Sequence, residues 1–92
     1  MTVFWTEDGV ECLVQIAEYL QRYSEHAASR MLIAFVERVE LVDQMPYQGR
    51  MVPKYRTRSV REVIVRDYHV WYRVVGSGIH VIGVFHGRRD LG

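Results

Sequence analysis

Apolar residues in the first half of the chain recur with a helical period. Val10, Leu13, Val14, Ala17 and Leu20 fall at i, i+3, i+4, i+7 and i+10, one face of an amphipathic helix. Thr6 stands ahead of them as an N-cap oxygen, and Glu7 and Asp8 place negative charge on the first turn, where the helix dipole favours it. The pattern predicts a helix from there to about Arg22. Ser24 opens a second, with Ala28, Met31, Leu32, Phe35, Val39 and Val42 as its stripe and Ile33 and Val36 widening it. Glu37, Arg38 and Glu40 decorate the remaining face. Tyr23 and Ser24 alone separate the two patterns, which predicts an antiparallel helical hairpin.

Before the hairpin, Thr2-Val3-Phe4-Trp5 is a short β-prone run. After it, Pro46 and Gly49 stop the helix, and residues 44–57 carry no clear period, so a long loop is expected. The last third reads as strands at 60–65, 68–75 and 79–86, the latter two joined by a three-residue loop, Gly76-Ser77-Gly78. Alternation is imperfect at 60–65, and neither 68–75 nor 79–86 is strictly polar on one face, which predicts that both faces of the sheet are substantially covered or aromatic-lined. Gly83, inside the last strand, marks a bulge or a close backbone approach. The order β-α-α-β-β-β predicts an α+β fold: an N-terminal strand and an antiparallel helical hairpin packed on a mostly antiparallel sheet, in a single domain over 1–92. The first strand, remote in sequence, is expected to insert or pair at an edge.

Composition adds a charge asymmetry. The 92 residues hold 12 Lys+Arg and 11 Asp+Glu, a net charge of +1. Residues 1–49 carry three basic side chains against eight acidic, a balance of −5; residues 50–92 carry nine basic against three acidic, a balance of +6. Eleven of the 12 cations are arginine, whose planar fork suits carboxylate and phosphate. The second half is therefore expected to present a localised arginine face. The single Cys12 excludes a disulfide framework within the chain and is read as a small buried hydrophobe. The longest wholly apolar run, Met31 to Val36, is far short of a membrane span. A cytoplasmic protein without membrane contact is expected.

The motifs now carry a resemblance. A strand ending in Trp5 and a helical hairpin precede Leu41-x4-Pro46-x2-Gly49-Arg50, which leads into Val60-Arg61-Glu62. Then come Tyr68-x3-Tyr72-Arg73-Val74 and the closing Val84-Phe85-His86-Gly87-Arg88-Arg89-Asp90. Across nearly the whole chain this resembles the RelE/ParE superfamily of toxins from bacterial type II toxin–antitoxin modules. The His-Gly-Arg-Arg-Asp ending looks more like ParE. The resemblance implies a toxin that inhibits DNA gyrase and is neutralised by a cognate antitoxin protein. Its RelE-like branch implies instead a ribosome-dependent mRNA interferase, and a third reading is an inactive protein that keeps only antitoxin binding.

Each branch names residues. Metal-free RNA cleavage requires a base, an acid and cations for the phosphorane charge. His69 or His86 could supply the proton transfers, and Arg61, Arg73, Arg88 and Arg89 the cations; Arg61, His86, Arg88 and Arg89 form the catalytic set implied by the nuclease reading. Target or antitoxin binding is expected of Arg50, Arg61, Arg73, Arg88 and Arg89. The bland alternatives are an Arg61–Glu62 ion pair, Arg73 stacked on an aromatic ring, and Tyr68 and Tyr72 as packing residues on one face of a strand. His26 and His80 are expected to be solvated, and their spacing makes no metal site. No cofactor is expected.

Overall fold

The computed structural model describes residues 2–87, so Arg88, Arg89 and Asp90 lie outside the described residues. Two helices pack on a five-stranded mixed sheet, an α+β fold. Strand β1 (Val3–Trp5) leads into α1 (Glu7–Gln21) and α2 (Glu25–Gln44), and then β2 (Arg50–Met51), β3 (Val60–Val65), β4 (Tyr68–Val75) and β5 (Gly78–His86) follow. The strand order is β1-β5-β4-β3-β2. All neighbours are antiparallel except β1, which pairs in parallel with β5 at the edge, Val3 opposite Ile79 and Trp5 opposite Val81.

Local chemistry sets these boundaries. The Thr6 hydroxyl accepts the Gly9 N–H at 3.0 Å and donates to the Val81 carbonyl at 2.9 Å, so one side chain caps α1 and ties its start to β5. Ser24 caps α2 by accepting from the Ala27 N–H at 3.1 Å. The α1 pattern, however, is turned from the one expected. Leu13, Ile16, Leu20 and Cys12 pack on the core, whereas Val10 and Val14 are exposed at 45% and 43%. The cause is Gly9: a Cβ there would lie 2.5 Å from the Val81 carbonyl oxygen, so the helix lies flush on the strand backbone at that point. On α2, Met31, Phe35, Val39 and Val42 are buried as expected, while Ile33 and Val36 face outward.

The helix-facing side of the sheet supplies Val63 and Val65, Val70 and Tyr72, and Ile79, Val81 and Val84. The last three change parity because β5 carries a bulge. Trp71 pairs with Gly83 and Tyr72 with Val81, leaving Ile82 as the extra residue. That shift explains the imperfect alternation in the sequence. Gly83 also receives the Phe85 ring, 2.6 Å from where its Cβ would stand. The hairpin loop is shorter than expected, because Gly78 pairs with Val75 and leaves Gly76, at φ 56°, and Ser77 as the turn.

The stretch expected to be a plain loop is built instead from short ordered pieces: one 3₁₀ turn at Pro46–Gln48, the strand β2, and a second 3₁₀ turn at Pro53–Tyr55. It folds over the far face of the sheet. There Val52, Val60 and Trp71 form a second buried cluster, with Tyr55, Ile82 and Phe85 against it. No helix among the described residues is long and apolar enough to cross a membrane.

Candidate functional site

Two devices hold the 46–55 segment in place. On the helix side, the buried Tyr72 hydroxyl donates to the Pro46 carbonyl at 2.7 Å and accepts the Gly49 N–H at 3.2 Å. Burial pushes this phenol up from its ordinary value, so it stays a neutral donor. Arg61 completes the latch. Its Nη1 donates to the Tyr47 and Gly49 carbonyls at 3.2 and 3.0 Å, its Nε to the Arg58 carbonyl at 2.7 Å, and its guanidinium lies 5.1 Å from the Tyr47 ring centre. The motif residues Pro46, Gly49, Arg61 and Tyr72 are thus neighbours in one structural lock.

On the far face, Glu62 is the second device. Its side chain is 1% exposed, yet it takes Arg50 Nε on Oε1 at 2.6 Å and Trp71 Nε1 on Oε2 at 2.7 Å, with His69 Nδ1 2.9 Å from Oε2. Burial alone raises a carboxyl pKa, but the contacts from Arg50, Trp71 and His69 outweigh it and hold Glu62 below its ordinary value. The group is an ionised anchor joining β2, β3 and β4. The Arg61–Glu62 ion pair considered from sequence does not form, because adjacent strand residues point to opposite faces.

Around Trp71 the cations gather. Tyr55 meets the Trp71 ring edge to face at 5.7 Å, and Phe85 meets it at 4.8 Å. Lys54 Nζ lies 5.9 Å from the Tyr55 ring and 6.0 Å from the Trp71 ring, and the Arg73 guanidinium lies 5.9 Å from Tyr55. Arg50, Lys54 and Arg73 therefore share one face, and Arg73 does stack on an aromatic ring. Arg61 is on the opposite face, turned into the loop.

His86 lies elsewhere again. It pairs with Tyr68 at the far end of β5 and packs edge to face on that ring at 5.4 Å. Arg61 pairs with Tyr72, four residues along β4. Four residues at ~3.3 Å and two strand spacings of ~4.8 Å put the two backbone positions about 16 Å apart. Burial, with Asp67 beside it, pushes the Tyr68 phenol up, away from use as a base near neutral pH. A groove of about 690 Å³ opens beside this end, lined by Cys12, Tyr19, Met31, Tyr68 and His86 among others. His26 is exposed, and His80, half-buried, is tilted against Phe4 at 5.0 Å. Among the described residues no group of three or more His, Cys, Asp or Glu is placed to hold a metal ion. Arg88 and Arg89, expected in both the catalytic and the binding sets, lie outside the described residues.

Glu62, Tyr55 and Lys54 were not singled out as site residues from sequence. The signal for Glu62 was a lone carboxylate within the β-branched run 60–65, sharing a face with Val60 and Ile64. Its partners depend on the register of β2 and β4, which no local pattern encodes.

Comparison with known proteins places this geometry. The family described as ParE toxin of type II toxin–antitoxin system, parDE, matches residues 3–91. A curated relative, Toxin RelE2 of Caulobacter vibrioides, is 28% identical over 88 residues, covering 95% of this chain and 96% of the relative. A solved structure described as the chromosomal ParDE TA system from P. aeruginosa shares the fold with a TM-score of 0.75. It is 22% identical, over 94% of this chain and 95% of that one.

Proposed function

The chain belongs to the ParE family of toxins from type II toxin–antitoxin systems, and from that premise we propose that it acts by inhibiting DNA gyrase and is neutralised by a cognate antitoxin. The observation that carries the reading against its nuclease alternative is the separation of Arg61 and His86, the two described residues of the set that cleavage would need. Arg61 is committed to three backbone carbonyls of the loop, and His86 stands about 16 Å away along the sheet. General acid–base chemistry requires its groups within hydrogen-bond reach of one reacting atom. Of the cations that share a face, Lys54 and Arg73 lie against aromatic rings and Arg50 on Glu62, an arrangement that suits the holding of a partner.

The family fold hosts more than one activity, so the site and not the fold has to decide. Expression without antitoxin should relax a reporter plasmid while messenger RNAs stay intact, and co-expression of the antitoxin should restore growth. The similarity to a protein named RelE2 makes the converse outcome specific: codon-phased cuts in messenger RNA with supercoiling unchanged would replace gyrase inhibition by the interferase reading. Absence of any growth defect would leave antitoxin binding alone.

A further inference from the structure

We propose that the exposed apolar patch formed by Leu41, Met45, Tyr47 and Met51, at the β2 edge of the sheet, is the contact surface for a second copy of this chain, joined across a two-fold axis. Such a dimer of the free chain is independent of the gyrase reading.

Three neighbouring elements build the patch. Leu41 and Met45 stand one turn apart at the end of α2 and are 56% and 66% exposed. The chain then enters the first 3₁₀ turn, where Tyr47 is 55% exposed. Arg61 joins Tyr47 to Met51. Its guanidinium lies 5.1 Å from the Tyr47 ring centre, and it pairs with Met51 across β3 and β2, so the Met51 side chain, 45% exposed, leaves on the same face. Strand β2 ends the sheet, so no other strand of this chain covers that side. Large apolar side chains carry roughly 200 Å² each, and these exposures leave on the order of 450 Å² open. That matches the ~300–600 Å² of the largest patch on an ordinary monomer, a size that often marks an interface. Doubled across a two-fold axis it is about 900 Å², and a charged rim carries it past the ~1,000 Å² that a specific contact needs. Two of the four side chains are methionines, which conform readily to a facing surface.

The rim identifies the occupant as a copy of the same chain. On the helix side, exposed Glu37 precedes Leu41 by one turn. On the strand side, exposed Arg58 stands beside Arg61, whose Nε donates to the Arg58 carbonyl at 2.7 Å. Arg38, half-buried on α2, lies close enough to Tyr72 to act on its phenol and is spent within the fold. A two-fold axis in the plane of contact, perpendicular to the line from acid to base, sets the acidic side of each copy against the basic side of the other. The patch is thus apolar at its centre and self-complementary in charge at its rim. Other exposed apolar residues lack that property. Val10 and Val14 stand on a helix whose charged residues are Glu7, Asp8, Glu11 and Glu18, all exposed, and these repel the same face of a second copy.

The test is the mass of the whole purified chain, measured by sedimentation from about 1 to 100 μM, the range of a weak but specific contact. A monomer–dimer equilibrium is expected. Leu41→Glu and Met45→Glu, both at the surface, should weaken it about tenfold or more and leave Tm unchanged. Glu37→Arg and Arg58→Glu should each weaken it, and the two together should restore it, because every swapped charge then meets its opposite across the axis. Association by apolar contact alone gives no such rescue. The proposal is overturned by a chain that is monomeric throughout this range, by a Leu41→Glu dimer as tight as the parent's, or by a double charge swap no better than either single one. A monomer whose antitoxin binding is lost in Leu41→Glu would overturn it too, and would assign the patch to that partner. None of these measurements involves gyrase, so failure here and failure of the gyrase reading are separately visible.

Discussion

Tyr72→Phe removes one oxygen and two hydrogen bonds. The hydroxyl is buried in the main core, donates to Pro46 at 2.7 Å and accepts from Gly49 at 3.2 Å. Gly49 is close enough that a Cβ on it would run into this hydroxyl. Leaving a buried N–H without a partner costs ~1–3 kcal/mol. We take about 2 kcal/mol, which for a domain of this size lowers Tm by roughly 8–16 °C. The denaturant slope should be unchanged, because the same surface is exposed on unfolding. Arg61 grips the carbonyl of the same Gly49 at 3.0 Å, so Arg61→Met should add less to Tyr72→Phe than it costs alone, with a coupling of about 0.5–3 kcal/mol. Limited proteolysis should move to residues 46–55 in both variants. A Tyr72→Phe protein within ~0.5 kcal/mol of the parent, or strictly additive variants, would mean that the latch does not hold the segment.

Four further expectations concern the anchor and helix α1. Glu62 is held below the ordinary value of 4.5, so its contribution to stability is complete above that pH and is lost as pH falls through the lowered folded value. Acid denaturation curves of the parent should carry this loss, and Glu62→Gln should lack it; parallel curves would contradict the ionised anchor. Gly9→Ala gains ~1 kcal/mol of helix propensity but drives a Cβ to 2.5 Å from the Val81 oxygen, and the net result should be a loss of about 1–3 kcal/mol, checked by thermal melts that would otherwise rise. Val14→Ser, at an outward position 43% exposed, should stay within ~0.5 kcal/mol of the parent. Ile16→Ala, packed on the core, should cost about 1–3 kcal/mol, below the fully buried range.

Much of this architecture was legible because local patterns carried it. The caps Thr6 and Ser24 fixed both helix starts, and the β-branched runs fixed three strands. The face of α1 was not legible, because its rotation is set by the contact of Gly9 with Val81 on β5, far away in sequence. Strand β2 was hidden for a related reason: two residues, Arg50 and Met51, become a strand only because Tyr72 and Arg61 present them to β3. The candidate site divided in the same way. Arg50 and Arg73, named from sequence, share a face, and Arg61, named with them, lies on the other and donates to backbone carbonyls there. Glu62, the residue that organises the site, reads as an ordinary strand carboxylate until register brings Arg50, His69 and Trp71 onto it.

The central claim is that this ParE-family chain stops its target by holding it and not by cutting RNA. Supercoiling of relaxed plasmid by purified DNA gyrase, titrated with the purified chain, tests that most directly. We expect supercoiling to be lost in a dose-dependent way, to survive His86→Ala in the toxin, and to be relieved when Arg50 and Arg73 are both replaced by Glu. Gyrase that supercoils normally at saturating toxin, while ribosome-bound messenger RNA is cut in codon phase, would contradict the account.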